Sequence, residues 1–238
     1  MTWLPLVTAL AGVGAAWSQS PASSPSERSH VQHPSGPVVI LGASYAEGWT
    51  LTLPGIPVLN RGVTGQQTFE LAARFDADVA SVRPRAVIVW GFINDVFRAP
   101  PDQVDAAIAR ARRSTEDIVG MARRAGIEPI LATEVTLRTA AVTWRETASS
   151  WLGWIRGRIS YREQMNQHVL ATNAWLREFA RREGLLLLDL QPVVSDLRNG
   201  RSPAYAAADG SHISPAGYQK LTEYAAPILR RHFARTGD

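Results

Sequence analysis

The chain has 238 residues, 45% of them hydrophobic, enough to build one large core. It has no cysteine, which excludes disulfides, thiolate metal sites and a cysteine nucleophile. The formal net charge is +4, and because Lys220 is the only lysine, 24 of the 25 cationic side chains are arginine. Those arginines occur singly or in pairs such as Arg112-Arg113, Arg123-Arg124 and Arg181-Arg182, interleaved with acids. That is the pattern of solvated helix faces. No nucleic-acid-binding motif accompanies them, so no nucleic-acid partner is expected.

Residues 1–18 begin with an uncharged apolar run and residues 19–36 are rich in Ser and Pro, so the expectation is a signal peptide followed by a linker. The apolar run is short for a membrane span. No Lys or Arg precedes it, which leaves an N-terminal membrane tether as the competing reading. On the first reading the protein is secreted or periplasmic, with no integral membrane domain beyond that segment. From 37 to 235 short apolar runs alternate with helical patterns, consistent with one domain. Strands are predicted at Val38–Leu41, Pro57–Asn60, Ala86–Trp90, Glu128–Thr133 and Leu185–Leu190. The third and fifth are nearly continuously apolar, as strands buried on both faces are.

Helices are predicted over Asp102–Ala125, Tyr161–Glu183 and Pro215–Phe233. Gly126 and Gly184 stop the first two, and Ser214 caps the third ahead of Pro215. This alternation predicts an α/β domain with a five-stranded parallel sheet. Segment 136–160 breaks the rhythm and carries Trp144, Trp151 and Trp154. It leaves the carboxyl end of the fourth strand, where ligand crevices of such sheets lie. It is either a wall or cover for a site, or a satellite cluster on the surface.

The chemistry starts from "VVILGASYAEGW", in which Ser44 follows a predicted strand. A serine nucleophile needs a base, usually histidine. His30 and His33 fall in the linker, His168 on the long helix and His232 in the last turn of the final helix. Only His212, in "DGSHISPAGY", lies in a loop ahead of a helix, with Asp209 three residues before it. In a tight turn that spacing brings the carboxylate to the imidazole and fixes its tautomer. An oxyanion also needs donors. Gly62 in "LNRGVTGQQT" and Asn94 in "VWGFINDVF" offer them from the ends of the second and third strands. Taken singly, Gly62 is a turn glycine and Asn94 an Asx-turn or cap residue. Taken together, Ser44, Gly62, Asn94, Asp209 and His212 all follow strands whose carboxyl ends share one edge of a parallel sheet.

The ordered blocks Ser44 in "GAS", Gly62 in "NRG", Asn94 in "IND" and Asp209 to His212 in "DGSH" resemble the SGNH hydrolases, or GDSL esterases and lipases. The likeness extends into "HISPAGYQKL" and the pattern before the fifth strand, covering most of 38–233. The resemblance implies a flavodoxin-like three-layer α/β/α sandwich and metal-free ester hydrolysis with no cofactor. It implies Ser44 as nucleophile, His212 as general base and acid, Asp209 as its orienter, and an oxyanion hole of the Ser44 and Gly62 N–H groups and the Asn94 amide. Two positions depart from the family pattern: Ala43 stands where an acid is expected, and Phe92 where a glycine is.

Phe92 is expected to crowd the acyl site, favouring short acyl groups. Trp144, Trp151 and Trp154 suit either sugar stacking or an apolar acyl site. The expected partner is thus a small ester, an acylated sugar or a lipid-like molecule. The leading expectation is a carboxylic ester hydrolase on short-acyl or carbohydrate O-acyl esters. Lysophospholipase, arylesterase, acyltransferase and a non-catalytic ligand-binding domain are the alternatives. An α/β-hydrolase elbow is excluded, because only the leader and linker precede the serine-bearing strand and the acid lies three residues from the histidine.

Overall fold

A computed structural model describes Met1 and residues 36–139 and 161–236. Five parallel strands, β1 (Val38–Gly42), β2 (Val58–Gly62), β3 (Ala86–Trp90), β4 (Glu128–Ala132) and β5 (Leu186–Leu188), form one sheet in the order β2-β1-β3-β4-β5. Each matches a predicted strand to within about two residues at either end, and β3 matches at both. Every residue of β1 and β3 is buried, which is why these runs carry almost no polar side chain. The edge strand β2 is only partly buried, so its polar Asn60 and Arg61 are tolerated.

The long predicted helices are present as α5 (Val104–Arg124), α6 (Tyr161–Glu183) and α8 (Pro215–Thr236). Gly126 and Gly184 follow α5 and α6 with φ of 68° and 66°, the left-handed stop that glycine adopts without strain. Short helices that carry too few residues to show a period link the rest: α1 (Ser44–Glu47), α2 (Thr68–Ala73), α3 (Phe75–Asp78), α4 (Ile93–Phe97) and α7 (Leu190–Val193).

The chain steps from β1 outward to β2, then back across β1 to β3 and on to β4 and β5. Right-handed crossovers in opposite directions put helices on opposite faces. The contacts agree: α2 and α5 pack together, as do α4 and α6, while Trp49 beyond α1 donates from Nε1 to Thr222 Oγ1 of α8 at 2.9 Å. The direction of winding reverses between β1 and β3, so the crevice of this doubly wound sheet opens beyond their carboxyl ends.

At that edge α1 lies directly on the sheet. A Cβ on Gly42 would stand 2.1 Å from Trp90 O and 2.5 Å from Ala46 Cβ, and one on Gly62 would stand 2.1 Å from Glu47 N. Gly42 pairs with Gly62 on one side and Trp90 on the other. Both glycines are therefore packing requirements. Gly62→Ala is expected to cost about 1–3 kcal/mol through forced backbone displacement. For a chain of this size that is a fall of roughly 2–10 °C in the thermal midpoint. An unchanged midpoint in a thermal melt would show that α1 can lift off the sheet without penalty.

Candidate active site

Ser44 is the first residue of α1, two residues beyond the last residue of β1. Ala43 before it is buried and supplies no side-chain cap. Ser44 is half-buried, and neither its N–H nor its Oγ has a hydrogen-bond partner among the described residues. A hydroxyl in that position is available to a base and to a substrate.

Asp209 and His212 close the turn that their spacing predicts. Asp209 Oδ1 accepts from Ser211 N–H at 2.8 Å and His212 N–H at 2.9 Å, and Asp209 Oδ2 meets His212 Nδ1 at 2.6 Å. Partial burial works to raise the Asp209 pKa. The bonds from the His212 ring and the two N–H groups outweigh it and bring the carboxyl down to about 2. An ionised carboxylate only accepts, so it selects the imidazole tautomer with the proton on Nδ1 and the lone pair on Nε2. The side chains are 57% and 51% exposed, so water reaches the imidazole freely. Of the other described histidines, His232 pairs with Glu128 Oε1 at 2.5 Å near the opposite end of the sheet, and His168 is half-buried on α6.

Asn94 occupies the first turn of α4, beyond β3. Its Nδ2 donates to Gln66 O at 2.9 Å, tying it to the loop after β2 and leaving its second amide hydrogen available. The neighbouring Asp95 is fully buried, and its Oδ2 accepts from Thr68 N–H and Oγ1 at 2.9 and 2.8 Å. The start of α4 is held by Glu134, beyond β4, whose Oε1 accepts from Phe92 N–H at 2.9 Å and Ile93 N–H at 3.4 Å. Glu134 is itself gripped at its backbone by the Asn173 amide of α6.

Two expectations are corrected here. Gly62 N–H donates to Asn60 Oδ1 at 2.8 Å, so that amide is occupied and the residue serves packing. Three residues on, Gly65 has φ of 81°, and its N–H has no acceptor among the described residues. The amides of this loop without an acceptor among the described residues are thus those of Thr64 and Gly65, and only at Gly65 is the N–H unflanked by a side chain. Phe92 turns into the hydrophobic core at 5% exposure, because its N–H is fixed by Glu134; it does not line the site. The apolar side chains that do are Ile93 and Phe97.

A cavity of about 220 Å³ collects Ser44, Asn94 and His212 with Tyr45, Ile93 and Phe97. Tyr45 is 4% exposed and meets the His212 ring edge-on at 6.5 Å between centroids. Its Oη donates to Ser211 O at 2.7 Å and accepts from Arg201 Nη2 at 2.8 Å. Burial raises the phenol pKa, with Arg201 opposing, which keeps the donor protonated. Tyr45, Glu134 and Arg201 were not among the candidates from sequence. Trp144, Trp151 and Trp154 lie outside the described residues. Among the described residues no group of His, Asp or Glu is arranged to hold a metal ion.

The sequence model of the GDSL-like lipase/acylhydrolase family matches residues 38–220. No curated protein matches the chain. Among solved structures, a putative lipolytic protein of the G-D-S-L family from Desulfitobacterium hafniense is 22% identical, covers 82% of this chain and 99% of its own, and has a TM-score of 0.62. A putative acylhydrolase from Bacteroides fragilis is 23% identical over 85% of this chain and 93% of its own, with a TM-score of 0.63. A catalytic mutant of an acetylxylan esterase from Geobacillus stearothermophilus is 18% identical over 84% and 93%, with a TM-score of 0.53.

Glu134 gives this edge of the sheet a pH signature. Burial raises its carboxyl to about 7, against opposing bonds from Phe92 and Ile93 N–H and the charge of Arg201, while Asp95 pushes the same way as burial. Between its ordinary value of 4.5 and about 7 the folded chain holds a proton that the unfolded chain has lost. The stability this supplies is complete below that window and is lost as pH rises through it. Glu134→Gln keeps the acceptor oxygen without the titration. It is expected to reduce the loss of stability between about pH 5 and about pH 8, read from denaturant midpoints. An identical slope in both proteins would mean that Glu134 does not bind the extra proton.

Proposed function

The chain belongs to the GDSL-like lipase/acylhydrolase family and is an esterase, and from that premise we propose that it cleaves carboxylic esters through a covalent acyl-enzyme on Ser44. The observation that carries this reading is the single cavity in which Ser44, Asn94 and His212 meet, with His212 held by Asp209. His212 Nε2 takes the proton of Ser44 Oγ as that oxygen attacks the ester carbonyl. The tetrahedral oxyanion is held by the Ser44 and Gly65 N–H groups and the Asn94 amide. The imidazolium, stabilised by Asp209, gives its proton to the departing alcohol. Water then attacks the acyl carbonyl as His212 takes its proton, and His212 returns that proton to Ser44 Oγ as the acyl–Oγ bond breaks, releasing the acid and free Ser44.

The substrate class is a short-acyl ester, including carbohydrate O-acyl esters. The small cavity volume and the side chains of Ile93 and Phe97 support a short acyl group. The acetylxylan esterase among the structural relatives supports a sugar acetate. The uncharged apolar run that opens residues 1–18 supports export.

The test is a series of 4-nitrophenyl esters of increasing acyl length, with acetylated xylo-oligosaccharides alongside. Wild type is expected to prefer the shortest acyl groups. Ser44→Ala is expected to lose at least about 10³-fold in kcat. Asn94→Ala is expected to lose about 10²–10³-fold, the effect of one oxyanion donor. Wild-type turnover by Ser44→Ala would place the nucleophile elsewhere, and a preference for long chains would overturn the substrate class.

A further inference from the structure

Arg201 is fully buried, yet it makes no ion pair with a carboxylate among the described residues. Its partners are neutral oxygens: Nη1 donates to Ser211 O at 3.0 Å and Nη2 to Tyr45 Oη at 2.8 Å. The guanidinium carbon is 4.9 Å from the centre of the Tyr45 ring. Its Nε is buried and has no partner among the described residues. A buried cation on such partners is an expensive way to fill space, and an apolar side chain of similar size would serve stability as well or better.

What the pair does hold is one carbonyl. Ser211 O accepts from both Tyr45 Oη and Arg201. Tyr45 is the residue after Ser44, and Ser211 is the residue before His212 and inside the Asp209 turn. The 2.7 Å bond from Tyr45 to Ser211 therefore links the nucleophile's turn to the base's turn across 166 residues of sequence. The His212 and Asp209 side chains are more than half exposed, and the other bonds on their loop fall on different carbonyls: Arg162 Nη2 donates to Asp209 O at 2.9 Å, Arg138 N–H to Gly210 O at 3.1 Å and Ala207 N–H to His212 O at 2.8 Å.

We propose that Tyr45 and Arg201 are positioning residues for ester hydrolysis, a buried phenol–guanidinium clamp on the Ser211 carbonyl that sets the spacing of Ser44 and His212. This rests on the reading of Ser44 and His212 as nucleophile and base. Of the bonds on this loop, the one from Tyr45 ties it to the turn of Ser44. Arg201, entering from the segment after α7, supplies a second bond to the Ser211 carbonyl and also orients the phenol. The clamp fixes where proton transfer starts but does not touch the reacting carbonyl, so its loss acts on kcat rather than on substrate binding.

The experiment compares wild type, Tyr45→Phe, Arg201→Met, Arg201→Lys and Ser44→Ala on 4-nitrophenyl acetate, with thermal melts on each. Tyr45→Phe removes one oxygen and keeps the ring. It is expected to lower kcat between about 10- and 100-fold, the scale of small misplacements of reacting groups. KM should stay within about threefold and the melt should remain cooperative. Arg201→Met is expected to fall at least as far while staying folded, and Arg201→Lys, which can reach one oxygen, to recover part of the loss. The rate of fluorophosphonate capture by Ser44 should fall in the same order, since it reads the activation of Ser44 without substrate release. If Tyr45→Phe and Arg201→Met turn over like wild type while Ser44→Ala is inactive, the clamp is overturned and the serine mechanism stands. If Ser44→Ala is active, the underlying reading fails instead. Should Arg201→Met not fold, Tyr45→Phe decides alone, and equal loss in KM and kcat would count against positioning.

Discussion

Helix α1 can leave β1 where it does only because two glycines meet beneath it. Gly42 is bracketed by Gly62 and Trp90 at the end of the sheet, and no side chain fits at either glycine. With α1 pressed onto the strand ends, Ser44 is presented at the switch point between β1 and β3, and Tyr45 is turned into the core beside it. Everything else in the candidate site is placed relative to that contact. Asn94 reaches it from the end of β3, and the Asp209–His212 turn is drawn to it through Ser211.

Beneath this edge the molecule keeps polar groups where apolar ones would be more stable. Glu134, Asp95 and Arg201 are all buried, and each has a side-chain atom without a partner among the described residues. Each nonetheless fixes backbone near the cavity: Glu134 the start of α4, Asp95 the start of α2, Arg201 the loop of His212. Buried polar groups that orient functional loops at a cost in stability are what a site demanding fixed geometry requires. The concentration of such groups at one end of the sheet, and the apolar interior of β1 and β3, divide the fold into a part that stabilises and a part that positions.

The sequence made the first part readable and the second only partly so. Buried parallel strands announce themselves because both faces demand apolar residues, and α5 and α6 because their glycine stops follow directly. The Asp209–His212 bond was legible because it closes within three residues. Glu134 was not, since its bond to Phe92 N–H spans 42 residues, and Arg201 reaches Tyr45 across 156. Nothing local to either marks it. That the Gly62 N–H is occupied was hidden for the same reason: it turns on where the Asn60 side chain goes, and Asn60 is engaged with the backbone of Ala46 and Trp49 around α1. Phe92 misled because its environment is set by Glu134 rather than by its neighbours in sequence.

The central claim is that Ser44 is a nucleophile activated by His212. The most direct measurement is intact-protein and peptide mass spectrometry after exposure to a fluorophosphonate. The account predicts a single adduct on the peptide carrying Ser44, formed by wild type and slowed when His212 is replaced by Ala. A folded wild-type protein that takes up no adduct, or takes it up on another residue, would contradict it.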